Sequence, residues 1–222
     1  MSLSIFAFNG AVWLKPHALC LNLVVVTIGL YHYGRLGYFN IKLIIPFVMT
    51  SIPFAYLGAY LPIIDWLFDT LLSLTLLWAA WRLMMSIKKE SVVFKPPSII
   101  ISLATGAGLG LLSGLVGVGG GIFLSPLLML KGWASAKETA AVSAFFILVN
   151  SLAGLGGAFI SNQAQLDGDL IVQFSGAVLI GGFLGTRLGA NHASDQTIRR
   201  LLVVVLVVAA LRQLLGLVGL WP

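Results

Sequence analysis

Four glycines fall within five residues, Gly117, Gly119, Gly120 and Gly121, and strongly apolar sequence flanks them on both sides. In hydrocarbon every backbone N–H and C=O needs a partner within the protein. Broken backbone is tolerated there only where it faces protein or a watery cavity. A glycine run of this kind inside a membrane therefore marks the working part of the chain.

The membrane itself follows from composition. Of 222 residues, 59% are hydrophobic and 9% charged, and the mean hydropathy is +1.03, outside the range of soluble domains. A spanning helix needs roughly 20 apolar residues. Blocks near 17–34, 41–61, 66–86, 98–118, 137–160, 170–190 and 197–218 each approach that length, and a shorter apolar piece covers 122–131. Transmembrane strands would alternate at period two, whereas runs such as Leu201 to Ala210 are continuous. The expected fold is all-α, a polytopic membrane helical bundle. The formal charge of +6 comes from thirteen Lys and Arg scattered over short loops, which fits a topogenic role and no nucleic-acid stripe. The single cysteine, Cys20, cannot close an internal disulfide and reads as ordinary packing. No basic region precedes the first apolar stretch, so a cleaved signal peptide is not expected.

Loop charges set the orientation. Arg35 and Lys42 place the first loop in the cytoplasm, Asp65 and Asp69 place the second outside, and Arg82, Lys88, Lys89 and Lys95 return the chain to the cytoplasm. Lys131 and Lys137 are again cytoplasmic, Asp167 and Asp169 external, and Arg187, Arg199 and Arg200 cytoplasmic; only Lys15 sits on the wrong side. Residues 97 and 136 then share one side although an apolar segment separates them. The segment must enter and come back. At 1.5 Å per residue, the piece 122–131 is ~15 Å long, about half the hydrocarbon thickness. The segment 98–136 reads as a long arm, a re-entrant glycine turn and a short returning half-helix.

The chain also matches itself. Asn9 to Asn22 falls on Lys131 to Ala144, Asn40 to Leu61 on Asp167 to Leu188, and Asp65 to Arg82 on Asp195 to Arg212. The copies enter the membrane from opposite sides, so the expected organisation is an inverted repeat, residues 1–90 and 91–222, a plan common among secondary transporters. Met1 falls opposite Phe123, which leaves the first copy without its own glycine turn. A mis-assigned start or fragment is one reading. A natural short form that completes its site as a homo-oligomer is the other.

The stretch Gly110-Leu-Leu-Ser113-Gly114-Leu-Val-Gly117-Val-Gly119-Gly120-Gly121-Ile-Phe-Leu-Ser-Pro126, followed by Gly132 and Ala140-Ala-Val-Ser143-Ala-Phe, resembles the TauE/SafE sulfite-exporter family of membrane permeases. The family pattern of two copies, each with a GxGGG turn, covers this chain except the first turn. At the family's Thr-Ser element this sequence departs, reading Leu21-Asn22 in the first copy and Ser143-Ala144 in the second. The resemblance implies a multi-pass protein of the cytoplasmic membrane that moves sulfite, organosulfonates or related small anions without ATP.

The residues themselves suggest how. A helix N-terminus presents unpaired N–H groups and about half a positive charge, which suits an anion. Gly117, Gly119, Gly120 and Gly121 precede the half-helix and let backbone amides approach an oxyanion closely. Ser113, Ser125, Ser143 and Asn150 are the candidate side-chain donors, and Asn22 is a further candidate substrate-binding residue. The competing reading of the glycines is close helix packing through small residues. Arg82 and Arg212 occupy equivalent repeat positions near helix ends, where cations snorkel. His17, His32 and His192 stand at segment ends without metal-like spacing, Asp65 and Asp195 read as N-caps, and Trp13, Trp66, Trp81, Trp133 and Trp221 fit interfacial belts. No phosphate loop, catalytic triad or paired-carboxylate set occurs, so neither an enzyme nor a resident cofactor or metal is expected. The membrane potential alone, about 2.3 kcal/mol per charge per 100 mV, would favour anion efflux. The rival function is a transport-inactive scaffold or partner subunit.

Overall fold

Helix starts in this chain are written by polar residues at the ends of apolar runs. Asn40 accepts a hydrogen bond from Leu43 N–H, Ser98 from Ile101 N–H, and Asp167 from Asp169 and Leu170 N–H. Ser135 and Glu138 form a reciprocal capping box. These four caps open α2, α3, α5 and α6 among the helices α1 (Ala11–Arg35), α2 (Ile41–Tyr60), α3 (Ile99–Val116), α4 (Gly121–Leu130), α5 (Ala136–Ile160), α6 (Gly168–Asn191) and α7 (Asp195–Leu217). The fifth cap corrects the sequence reading. Thr197 N–H donates to Ser194 Oγ at 3.2 Å, so Ser194, and not Asp195, caps α7.

The computed structural model describes residues 11–64, 95–162 and 164–217, together with residues 67, 70, 71, 73, 74, 76–78 and 81, which are helical. Side chains at 11, 12, 190, 195, 199, 209, 210 and 212–217 are outside that description. The expectations for Asp65, Asp69, Trp66, Arg82, Lys88, Lys89, Trp221, the Arg212 side chain and the first copy's residues before 11 therefore fall outside the described residues. Among the described residues there is no strand, and α1, α2, α3, α5 and α6 contain spans long and apolar enough to cross a bilayer. The chain is a polytopic helical membrane bundle.

Helix α5 is the centre: α1, α2, α3, α4 and α7 all pack on it. Leu43, Ile44 and Phe47 of α2, Leu124 and Leu128 of α4, and Val142 and Phe146 of α5 form one buried cluster. In lipid, association gains little from apolar burial itself and relies on close packing and interhelical hydrogen bonds. The α2–α3 pair shows both. A Cβ on Gly106, Gly110 or Gly114 would run into the backbone carbonyls of Phe47, Ser51 and Ala55 in turn, one on Gly58 would meet Leu111 O, and Thr50 Oγ1 donates to Leu103 O at 2.7 Å. For these glycines the packing reading is the right one.

The doubling back is direct. Gly117 closes α3 with φ +72°, Gly119 (φ +75°) and Gly120 (φ +79°) carry the left-handed turn, and α4 starts at once. L-residues avoid this conformation, and glycine takes it freely. At the far ends of the two legs, Lys95 N–H donates to Gly132 O at 3.1 Å. In a Cys20→Ala background, cysteines placed at Pro96 and Lys131 should be labelled by an impermeant maleimide from the same, cytoplasmic face. Labelling from opposite faces would rule out the returning half-helix.

Candidate functional site

Two rulers give the depth of the turn. A Cβ on Gly119 would stand 2.7 Å from Ile147 Cγ2, 2.9 Å from Ser151 Oγ and 3.1 Å from Asn22 Nδ2. Ile147 stands near the middle of α5 and Asn22 near the middle of α1. At 1.5 Å per residue each is ~17 Å from its helix end, close to the centre of a ~30 Å hydrocarbon layer. By these two helices Gly119 is level with the middle of the bundle, while Gly117 follows the full 18-residue length of α3.

Around it the packing is tight and polar at once. Gly120 faces Phe146 Cε1 and Ser113 Cβ, and Gly121 faces the Ile147 side chain with Ser143 O beyond. Ser113, Asn150 and Ser151 are all fully buried. Ser113 Oγ, Ser151 Oγ and Asn150 Oδ1 have no protein hydrogen-bond partner. A buried polar group left unpaired costs about 1–3 kcal/mol, so three such groups within one region point to a ligand that pairs with them. Helix α4 meets this region with its N-terminus, and no side chain caps it at Gly120. Its positive dipole end is thus available to an anion.

The sequence expectations sort as follows. Ser113, Gly119, Gly120, Gly121 and Asn22 come together at the turn. Gly117 is one step further out, against the Lys15 stem. Asn150 is one turn beyond Phe146 on α5; one N–H of its Nδ2 donates to Phe146 O at 2.9 Å, and its Oδ1 has no protein partner. Ser125 and Ser143 lie below the turn, 2.9 Å apart, with Ser125 Oγ also donating to Gly121 O at 2.8 Å.

Three residues were missed. Ser151 is one, beside Asn150. Thr139 is the second: it is buried, its Oγ1 has no protein partner, and it stands one turn before Ser143. Thr139, Ser143, Ile147 and Ser151 recur every four residues, a single row along α5 that leads from its N-terminal end to the turn. Lys15 is the third. It is helical and only 5% exposed, and a Cβ on Gly117 would touch its Cα, Cβ and Cγ. An ionisable group within a membrane helix is expensive and marks function by default.

The histidines are not alike. His17 is buried, with Nδ1 2.7 Å from Trp13 O and Nε2 accepting from Asp167 N–H at 2.9 Å, so it joins α1 to the start of α6. His32 Nδ1 is 3.0 Å from Thr186 Oγ1. Among the described residues no His, Cys, Asp or Glu group could hold a metal ion. A cleft of about 640 Å³ opens between α1, α4, α5, α6 and α7, with Tyr33, Ser125, Thr139 and His192 among its walls.

The family model described as "Sulfite exporter TauE/SafE" matches residues 2–213. The probable membrane transporter protein y4hK of Sinorhizobium fredii (strain NBRC 101917 / NGR234) is 34% identical over 205 residues, which span 90% of this chain and 82% of that relative. No solved structure matches. With a glycine hairpin joining α3 to α4 and a family match over nearly the whole length, the chain belongs to the TauE/SafE sulfite exporter family of membrane transporters.

Proposed function

We propose that this transporter carries small oxyanions of the sulfite or organosulfonate kind, bound where α4 begins. Backbone amides of Gly119, Gly120 and Gly121 face the anion, the Ser113 and Ser151 hydroxyls and the Asn22 amide donate to its oxygens, and Asn150 Oδ1 accepts from an oxygen that keeps its proton. Ser125 and Ser143 line the approach from the cleft. The observation that carries this reading is the set of three buried, unpaired oxygens near an uncapped half-helix.

A test follows from the sign of two effects. Ser113→Ala and Ser151→Ala each remove a hydroxyl that has no protein partner, so the ligand-free protein should gain about 1 kcal/mol of stability. The same changes should cut uptake of labelled sulfite or methanesulfonate into proteoliposomes at least tenfold, equivalent to about 1.4 kcal/mol. Thermal melting in nanodiscs and counterflow read the two effects separately. Transport at the wild-type rate in both variants would sink the assignment.

A further inference from the structure

We infer that Ile147 is the gate of the transport route: its side chain closes the step between the Ser125 and Ser143 hydroxyls and the site at the glycine turn, and the turn must draw back from α5 for an anion to pass. This rests on the anion reading above and adds to it the residue that holds the route shut.

The row along α5 carries hydroxyls at Thr139, Ser143 and Ser151 and is interrupted only by Ile147. Thr139 Oγ1 and Ser151 Oγ are buried without a protein partner, and Ser143 Oγ is 2.9 Å from Ser125 Oγ. Ile147 stands one helical turn, ~6 Å along the axis, from Ser143 on one side and from Ser151 on the other. The same side chain covers the glycine turn. A Cβ on Gly119 would stand 2.7 Å from Ile147 Cγ2, and one on Gly121 would run into Cγ1 and Cδ1. The branches of one isoleucine thus lie against two of the three glycines whose amides are proposed to face the anion. An apolar plug between two polar stations excludes water, and with it a hydrated ion, which is how hydrophobic constrictions close a pore.

Two observations say how the plug would clear. Ser143, Phe146, Asn150 and Ser151 around it are buried, whereas Ile147 is half-buried, and so is Asn22, which also borders Gly119. Open space therefore reaches the turn at Gly119. An isoleucine in a helix holds one χ1 rotamer about 90% of the time, so Ile147 does not swing aside by itself. The movable partner is the turn, where Gly117, Gly119 and Gly120 all have positive φ.

The experiment measures passive efflux of labelled chloride and labelled rubidium from proteoliposomes holding the full chain, with sulfite and methanesulfonate counterflow alongside. Ile147→Ala should raise the chloride leak roughly tenfold or more and leave rubidium at the parent level, because the opened step ends at the positive end of α4. Ile147→Val, which removes only the Cδ1 methyl, should give a smaller rise with the same selectivity. Ile147→Leu keeps volume and apolarity and should hold the leak within about twofold of the parent. Absence of any chloride leak in the alanine and valine variants, with counterflow intact in the parent, overturns the gate and leaves the anion reading standing; the valine variant decides alone if the alanine variant does not insert. A rubidium leak that rises with chloride means a damaged bundle, and an equal leak from Ile147→Leu means that any change at this position disturbs packing. Each of these overturns the gate. Absence of counterflow for both anions in the parent removes the anion reading and the gate with it.

Discussion

Gly120→Val should reduce anion transport in proteoliposomes at least a hundredfold while the protein still inserts and stays helical. Gly120 has φ +79° and begins the half-helix as its N-cap. Left-handed geometry costs an L-residue roughly 1–2 kcal/mol, and a β-branched residue is a genuine outlier there. Even the first carbon of the new side chain would stand 2.7 Å from Phe146 Cε1 and 3.2 Å from Ser113 Cβ. The turn can escape only by redrawing its backbone, which turns its amides away from the proposed site. The helices α2, α3 and α5 are held by contacts elsewhere, so circular dichroism and membrane flotation should match the parent. Transport within twofold of the parent would show that this backbone geometry is not needed.

A second large effect concerns folding. In Gly110→Ile the new side chain meets the backbone of Ser51, its carbonyl oxygen, carbonyl carbon and Cα, and no rotamer relieves contact with backbone. Overpacking of a well-filled core costs typically 1–3 kcal/mol, and here two helix backbones must also separate, so monodisperse protein after detergent extraction should be lost. Gly108 is the internal control. It stands on the same helix with nothing within 4 Å of a Cβ, and Gly108→Ile should stay within about 0.5 kcal/mol of the parent. Equal damage from both substitutions would mean that helix propensity, and not the α2–α3 contact, sets the cost.

The hairpin was legible because charge and length conflict. Lys95 and Lys131 belong on one side, the apolar residues between them are too many for a loop, and only a return resolves it. Ser113, Gly119 to Gly121 and Asn22 were legible from helix-end chemistry and the family motif, and the structure gathers them at one depth. Lys15 was not, because a lone base was weighed by the orientation rule alone. Its spacing to Leu19 and Asn22, four and seven residues on, places it on the face of α1 that meets the turn and Gly154. Thr139 and Ser151 were hidden for another reason. A hydroxyl on a membrane helix commonly bonds back to its own carbonyls, and only the three-dimensional arrangement shows that these two do not. The orphaned acceptor on Asn150 could not be read from sequence at all, since it depends on which way the amide turns.

The long leg of the hairpin is fastened to α2 through Gly106, Gly110 and Gly114, whereas the short leg rides on α5. Any sliding of the α2–α3 pair past α5 must be taken up by residues 117–120, three of them glycines with positive φ. The segment proposed to offer its amides to the solute is thus also the joint between the two legs. Swivelling that opened one vestibule would reshape the cradle in the same stroke.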